Sequence, residues 1–366
     1  MYPIKMDDLL KAMVEKGASD LHLVVGSPPM IRLHGRLTPI ATEVLSPGAA
    51  QELVAAISKI EETNALIEHR EVDFAYSLPG VSRFRVNACF QRDSVSAVLR
   101  AIPGLPPALE EMDLPPIVAE VTKKPRGLVV VTGPTGSGKS TTLAAMINFI
   151  NRREAVRIVT IEDPIEFLHQ NVKSVISQRE VGRDTLSFNN ALRSALRQDP
   201  DVILVGEMRD LETISLALTA AETGHLVFGT LHVTSAPESI NRIVDVFPPE
   251  AQEQVRLQLS GVLEAVFTQT LVPRVGGEGR VCAMEILIGT PSVRNLIREN
   301  KPAQMMNAIQ TGSSAGMMSL EKSLASFVAD GRITLEAALE KSSHPDELKR
   351  MCSESGAQKP RFVSNF

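Results

Sequence analysis

A glycine-rich segment, GPTGSGKST, occupies residues 133–141 and has the residue types that bind a polyphosphate. It fits the pattern G-x-x-x-x-G-K-[ST], in which the glycines let backbone N–H groups point inward at phosphate oxygens. The lysine of this pattern reaches the β- and γ-phosphates, and the hydroxyl after it can hold Mg²⁺. The segment therefore predicts a site for ATP and Mg²⁺, with nucleotide contacts at Gly133, Pro134, Thr135, Gly136, Ser137, Gly138, Lys139, Ser140 and Thr141.

The residues around this loop predict the elements that position it. An apolar run at 128–132 precedes the loop and a helical stretch follows it, which makes a chance glycine turn a poor alternative. Further apolar runs at 157–161, 202–205 and 226–230 alternate with helical stretches. This alternation is typical of a mostly parallel α/β sheet, whose ligands bind at the carboxyl ends of the strands.

Two acidic residues follow such strands. Glu207 comes just after the run VILVG, and we predict that it orients or activates the attacking water. The acid that helps hold Mg²⁺ in many phosphate-loop enzymes is an aspartate, but Gly206 stands at that place. Glu162, in the segment TIEDPIE, is predicted to replace it as a metal-linked catalytic acid, together with Ser140.

Two histidines flank the strand in GHLVFGTLH. We predict that His232 senses the γ-phosphate as part of the catalytic group, and that His225 contributes to nucleotide binding. The alternative is that each histidine has no role at the nucleotide and is an ordinary polar residue beside a buried strand.

The bulk composition excludes several classes of protein. The net charge is −5, and the chain has no Trp and two Tyr, which argues against a nucleic-acid translocase with stacking platforms. Three widely separated cysteines, with no C-x-x-C, predict neither a disulfide framework nor a cysteine-based zinc site. No apolar run approaches the length of a membrane span, and the N-terminus lacks the pattern of a signal peptide, so we expect a cytoplasmic protein.

The distribution of prolines and polar residues predicts four segments. Residues 1–104 read as a small α+β domain, and residues 105–116 as a proline-rich linker. An α/β nucleotide domain with C-terminal helices is predicted over 117–345. A polar and loosely structured tail is predicted over 346–366.

Four blocks in order, GPTGSGKST, TIEDPIEF, ILVGEMRD and GHLVFGTLH, resemble the secretion ATPase superfamily of type II secretion and type IV pili. The segments GASDLHLVVGSPPMIRLHGRL and SVRNLIREN narrow this resemblance to the ATPases that retract type IV pili. The resemblance covers nearly the whole chain. It implies an α/β protein with an N-terminal PAS-like α+β domain and a RecA-like ATPase domain. It also implies a homohexamer that drives pilin disassembly and twitching motility.

The resemblance implies further roles for residues outside the phosphate loop. Arg85 and Arg100, in the N-terminal domain, are expected to reach toward the nucleotide, where a guanidinium can stabilise charge on the transferring phosphoryl group. The resemblance links one helix to retraction. It also implies that the ring docks at the cytoplasmic face of the membrane on an inner-membrane pilus platform protein, and whether the platform binds through this helix stays open. The residues of this helix are Arg294, Asn295, Leu296, Ile297, Arg298 and Glu299. An exposed sheet face and an ordinary amphipathic helix remain the alternatives for these two groups.

Other functions stay open at the level of sequence. An accessory retraction ATPase or an assembly and export ATPase of the same superfamily is the nearest alternative. Assembly and export ATPases usually carry an additional N-terminal domain and a four-cysteine zinc motif, and this chain has neither. A nucleic-acid translocase on a RecA-like core is the alternative from another class, and a nucleotide-gated scaffold without hydrolysis is a third.

Overall fold

The computed structural model describes residues 3–33, 35–102, 104–277 and 279–354. These residues form two units. The first contains the described residues up to Leu105, together with Glu166–Leu168. The second runs from Pro106 to Ile165 and continues from His169.

The first unit is an antiparallel sheet covered on one face by helices. Its strands are β1 (Asp20–Leu23), β2 (Met30–Leu33), β3 (Arg36–Pro39), β4 (Glu71–Leu78), β5 (Ser82–Gln91) and β6 (Ser94–Ile102), in the order β3-β2-β1-β6-β5-β4. Its helices are α1 (Met6–Glu15), α2 (Pro47–Ala55) and α3 (Ile60–His69).

Alternation along these strands explains why the helices cover one face only. In β5, Phe84, Val86 and Ala88 are fully buried, whereas Arg85 and Asn87 between them are exposed. Because successive side chains of a strand point to opposite faces, the apolar set packs under the helices and the polar set forms the other face. This is the α+β architecture expected for the N-terminal domain.

The second unit is built on a seven-stranded, mostly parallel sheet. Its strands are β7 (Gly127–Thr132), β8 (Arg157–Glu162), β9 (Val175–Glu180), β10 (Val202–Val205), β11 (Leu226–Leu231), β12 (Leu263–Pro273) and β13 (Arg280–Ile288). Its helices are α4 (Ile117–Val121), α5 (Lys139–Arg153), α6 (Phe188–Ala195), α7 (Leu211–Glu222), α8 (Ala236–Asp245), α9 (Pro249–Val262), α10 (Pro291–Arg298), α11 (Pro302–Thr311), α12 (Leu320–Ala329), α13 (Leu335–Lys341) and α14 (Pro345–Glu354).

The strand order is β13-β12-β7-β11-β10-β8-β9, and only the β12–β13 pair is antiparallel. Strand β7 is buried along its whole length because both faces of the sheet are covered. Leu128 and Val130 face one apolar cluster, and Val129 and Val131 face the other, which includes α5. The predicted fold class, a PAS-like α+β domain followed by a RecA-like ATPase domain with C-terminal helices, is confirmed.

The stretch predicted as a linker at 105–116 is not a bare connection. It contains a 3-10 turn, Leu109–Glu111, and Leu109 is buried in the cluster that includes α5. Proline density marks where the chain leaves the first unit, but the apolar Leu109 anchors the segment to the second unit.

The tail prediction is wrong for 346–354. These residues belong to α14, where Leu348 and Cys352 are buried against the apolar face of α12. The polar composition hid a helix with a narrow apolar stripe. Residues 355–366 of the predicted tail lie outside the described residues. Within the described residues, the helices are all too short or too polar to cross a bilayer.

Candidate functional site

The phosphate loop connects the end of β7 to the start of α5. Gly138 caps α5 with a φ of 91°, and Gly133 has a φ of 137°. Residues other than glycine rarely adopt these backbone conformations. A Cβ on Gly133 would lie 2.5 Å from the carbonyl oxygen of Gln269 and 2.6 Å from Ser137 Oγ. The first glycine of the loop is therefore required by both backbone conformation and space.

Lys139 lies at the N-terminus of α5, where the helix dipole and the free N–H groups favour an anion. Its ammonium donates hydrogen bonds to the carbonyl oxygens of Gly133 at 2.8 Å and Pro134 at 3.1 Å, so it lies across the loop. Ser137 Oγ is buried and has no hydrogen-bond partner among the described residues. A cradle of left-handed glycines, a helix N-terminus and a lysine folded over the loop fits the phosphates of a nucleotide.

The remaining loop positions surround this cradle. Ser140 and Thr141 are half-buried in the first turn of α5, whereas the tip of the loop is exposed at Pro134, Thr135 and Gly136.

The carboxyl ends of the parallel strands bring the predicted acids and one histidine to the same edge of the sheet as the phosphate loop. In register, Thr132 of β7 pairs with Leu231 of β11, Gly229 of β11 with Val205 of β10, and Val205 with Ile161 of β8. Strand β7 leads into the phosphate loop that precedes Lys139. The next strands in sheet order, β11, β10 and β8, end at or beside His232, Glu207 and Glu162.

Glu207 has a defined environment just beyond β10. Its Oε1 lies 3.3 Å from His232 Nε2 and forms an ion pair with Arg209, and its side chain is 18% exposed. The segment that carries it is held by a hydrogen bond from Met208 N to Thr230 O at 3.0 Å and another from Thr230 Oγ1 to Gly206 O. Glu207 and His232 are therefore positioned as a pair.

Gly206 explains why an aspartate is missing at this strand end. A Cβ on Gly206 would lie 3.0 Å from Ile161 O and 3.2 Å from the Cα of Glu162. Adjacent strands thus approach too closely for a side chain to fit without a shift. Glu162, at the end of the neighbouring strand β8, also places a carboxylate at this edge, and its Oε1 accepts hydrogen bonds from Thr160 Oγ1 at 2.7 Å and Gln178 Nε2 at 3.1 Å.

A cavity of about 310 Å³ adjoins the Glu207–His232 pair. Polar groups of α8, including Glu238, Asn241 and Arg242, line its far wall. The described residues contain no cluster of three or more His, Cys, Asp or Glu side chains that could hold a metal alone. A magnesium ion here would therefore need ligands such as the Ser140 hydroxyl, one carboxylate and phosphate oxygens, which is how this ion is usually bound beside phosphates.

The structure places His225, which is predicted to contribute to nucleotide binding, at the opposite end of β11 from the phosphate loop of the same chain. His225 precedes β11, and its carbonyl accepts a hydrogen bond from Gly127 N at the start of β7. Six strand residues, at about 3.3 Å each, separate this end of the sheet from the phosphate loop. Its Nδ1 lies 2.9 Å from Ala220 O, so His225 completes the end of α7.

Arg85 and Arg100 lie side by side in the first unit. They are direct register partners on β5 and β6, and both are exposed. Arg100 Nε donates to Asp20 Oδ1 at 2.8 Å, and Asp20 itself is 4% exposed. Burial acts to raise the pKa of Asp20, but hydrogen bonds from Ser19 and Arg100 outweigh it, so the pKa lies below its usual value. Sequence reasoning missed Asp20, because an acid at the start of a short strand gives no signal of its partner on another strand.

The predicted retraction segment divides into an inner and an outer face. Val293 and Ile297 are buried, and Leu296 is partly buried. Arg294 also points inward, where Nε donates to Gly289 O at 2.7 Å and Nη1 donates to Ser260 O at 2.8 Å and Gly261 O at 2.5 Å.

The Arg294 and Ile297 side chains of the predicted segment are therefore turned into the protein and hold α10 in place. The Arg294 guanidinium also pairs with Glu264 at 2.8 Å, which completes its attachment to the α9–β12 junction. The exposed residues of the segment are Asn295, Arg298 and Glu299, which are linked to one another by hydrogen bonds of 2.9 Å and 3.3 Å.

Two more residues beside the phosphate loop escaped sequence reasoning. Gln269 of β12 and Thr142 of α5 are buried and hydrogen-bonded to each other at 2.7 Å. The only local signal was a polar residue inside an otherwise apolar strand.

Comparison with known proteins places this geometry in context. The family described as Type II/IV secretion system protein matches residues 3–340. The chain is 54% identical over 341 residues to the type IV pilus retractation ATPase PilT of Pseudomonas aeruginosa, covering 93% of this chain and 99% of that protein. It is 52% identical over 320 residues to a twitching motility protein of Neisseria gonorrhoeae, covering 87% and 86% of the two chains.

A solved structure is similar over the same range. The crystal structure of the pilus retraction motor PilT with bound ADP aligns with a TM-score of 0.89 and 47% sequence identity. The alignment covers 95% of this chain and 99% of that chain. The similarity therefore includes both units and the phosphate loop.

Proposed function

Because this chain belongs to the Type II/IV secretion system protein family, we propose that it is a Mg²⁺-dependent ATPase motor that retracts type IV pili. The observation that carries this proposal is the meeting of the phosphate loop, Glu162, Glu207 and His232 at one edge of the parallel sheet. Both the nucleotide cradle and the acids needed for hydrolysis are present in one chain.

Each residue of the cradle has a role in binding. The loop N–H groups and Lys139 hold the β- and γ-phosphates, and Lys139 exchanges the carbonyls of Gly133 and Pro134 for phosphate oxygens. Ser140 and Glu162 are the ligands that this chain offers to Mg²⁺. When bound, Mg²⁺ neutralises charge that develops on the phosphate oxygens.

Glu207 and His232 act on the other side of the transferred group. The Glu207 carboxylate orients the attacking water, because it lies beyond the strand end with limited exposure and with its position fixed by Arg209 and His232. His232 follows β11, the direct neighbour of β7 in the sheet, so it lies nearer to the phosphate loop in strand order than Glu207 does. This position suits a sensor of the γ-phosphate.

The arginines of the first unit complete the catalytic group in a homohexamer. The paired, exposed guanidiniums of Arg85 and Arg100 suit the stabilisation of a phosphoryl group in transfer. The exposed face of α10, with Asn295, Arg298 and Glu299, is proposed to contact an inner-membrane platform protein at the cytoplasmic face of the membrane. Through that platform the motor would remove pilin subunits.

A pair of matched variants tests this function. Glu207→Gln keeps the shape of the side chain but removes its charge, and we expect ATP turnover by the purified protein to fall at least about 100-fold. Glu250→Gln makes the same change at an exposed position in the first turn of α9, and we expect normal turnover. Turnover near wild type in Glu207→Gln would overturn the assignment of the water-orienting residue.

Pilus behaviour in live cells tests the direction of work. Cells that carry only the Glu207→Gln protein should keep abundant pili that do not retract. Cells without pili would instead support an assembly ATPase. Normal retraction in those cells, despite lost turnover in vitro, would support an accessory role. Strong stimulation of turnover by DNA would support a nucleic-acid translocase.

A further inference from the structure

Strand β12 forms one wall of the phosphate loop. A Cβ added to Gly133 would lie 2.5 Å from the carbonyl oxygen of Gln269, so the loop backbone lies directly against this strand. The preceding residues of the two strands are joined by a buried hydrogen bond between Thr132 Oγ1 and Thr268 Oγ1 at 2.9 Å. The start of the loop therefore has one fixed position relative to β12.

The side chain of Gln269 reaches beyond the loop to α5. Its Nε2 donates to Thr142 Oγ1 at 2.7 Å and lies 3.3 Å from Cys282 Sγ on β13. Gln269 is 0% exposed and Thr142 is 1% exposed. Burial raises the pKa of the Cys282 thiol to about 12, so this group is a neutral contact. The carboxamide thus connects the β12–β13 pair to the helix that follows the loop.

We propose that Gln269 is a positioning residue for the nucleotide site, which sets Lys139 and Ser140 through its hydrogen bond to Thr142. Thr142 lies three residues after Lys139, about 4.5 Å along the helix axis, so the bond fixes the rotation and height of the first turn. The apolar contacts of α5 do not have this directionality. The β12 backbone fixes the beginning of the loop and the Gln269 side chain fixes its end, so one residue spans the whole cradle.

This inference rests on the proposed nucleotide site and adds a residue that lies outside its sequence motif. The alternative is that Gln269 only satisfies a polar group in the core. The two alternatives differ in what its removal changes. A positioning residue changes nucleotide affinity and KM, whereas a purely structural residue changes stability alone.

Two single variants and their combination test it in the full-length protein. Gln269→Met keeps the length of the side chain without its donor, and Thr142→Val keeps the branched shape without its hydroxyl. We expect each to weaken binding of fluorescent ADP with Mg²⁺ by about fivefold, the value for one net hydrogen bond. The double variant should bind ADP no more weakly than the single variant with the lower affinity, because both substitutions remove the same hydrogen bond. KM for ATP should rise by the same factor with little change in kcat.

Gln258→Met is the matched control, since it makes the same substitution on the surface of α9. It should bind ADP like the wild type. Wild-type affinity in both Thr142→Val and Gln269→Met, or strictly additive losses in the double variant, would overturn the inference. Thr142→Val keeps the test decisive if Gln269→Met does not fold. If the wild type itself bound no nucleotide, the proposed function would fail as well, so the two failures are distinguishable.

Discussion

Arg294 offers the most direct test of how α10 is held. Although it belongs to the segment linked by resemblance to retraction, its side chain is 22% exposed and its guanidinium donates to three backbone carbonyls and the Glu264 carboxylate. Replacing it with methionine keeps much of the apolar stem but removes all of these donors. We expect Arg294→Met to loosen α10 from the α9–β12 junction while the phosphate loop, at the opposite edge of the sheet, stays intact.

The expected size follows from the contacts. Hydrogen bonds to a charged group contribute about 1.5–3 kcal/mol each, but bonds from one guanidinium are not additive. Glu264 keeps a second partner, Lys124 Nζ at 3.0 Å, so its charge is not left unpaired. We therefore expect the free energy of unfolding to fall by about 3 kcal/mol, the equivalent of one or two such bonds.

Arg298 provides the control on the same helix. It is exposed and makes one hydrogen bond, to Asn295 at 3.3 Å, so Arg298→Met should change the free energy of unfolding by less than about 0.5 kcal/mol. Urea unfolding measures the global change, and hydrogen exchange of the α10 amides measures local opening. ATP turnover of both variants should stay within about twofold of the wild type.

Three outcomes would refute this reasoning. Equal stability of Arg294→Met and the wild type would mean that the inward contacts contribute nothing. Equal destabilisation by the Arg298 and Arg294 variants would mean that the whole segment, rather than the inner face, holds the helix. Loss of ATP turnover in Arg294→Met without loss of stability would also contradict the separation of α10 from the phosphate loop.

Two further predictions concern the loop and a half-buried histidine. Gly133→Ala should abolish ADP binding, because the Cβ of the alanine would lie 2.5 Å from the Gln269 carbonyl oxygen. Calorimetric titration with ADP measures this binding, and wild-type affinity would refute the packing argument. Burial lowers the pKa of His169 from its usual 6.5 to about 4, so it stays neutral in the folded protein while the unfolded chain takes up a proton. The free energy of unfolding should therefore fall by up to about 1.4 kcal/mol per pH unit as the pH falls from 6.5 to 4. Between pH 7 and pH 5, the free energy of unfolding measured by urea titration should fall less in the His169→Gln variant than in the wild type. An equal fall in both proteins would exclude this residue as the cause.

The phosphate loop could be predicted from sequence because its chemistry is local. Gly133, Gly138 and Lys139 are specified by backbone conformations and contacts within a few residues, and a short pattern contains all of them. The strand-end acids Glu162 and Glu207 were found for a related reason. Parallel strands share one carboxyl edge, so a residue that follows a buried apolar run has a predictable place.

The two histidines show the limit of this reasoning. Both flank β11 in sequence, but only His232 lies at the edge with the phosphate loop. The direction and length of the strand separate the two histidines, and the sequence pattern alone treats them alike. The tail prediction was wrong for a similar reason, since the few apolar residues of α14 gain their meaning only from packing on α12.

By itself, the sequence determined the nucleotide cradle, the parallel α/β core, the family resemblance and the acids at the strand ends. These features follow from local backbone rules, from the periodicity of apolar residues and from motifs in fixed order. Only the tertiary structure decided that Arg294 faces inward, that Asp20 holds Arg100 and that Gln269 spans the phosphate loop. Those contacts join residues that lie 30, 80 and 127 positions apart, and such pairs are selected by strand register and packing, which no local pattern encodes.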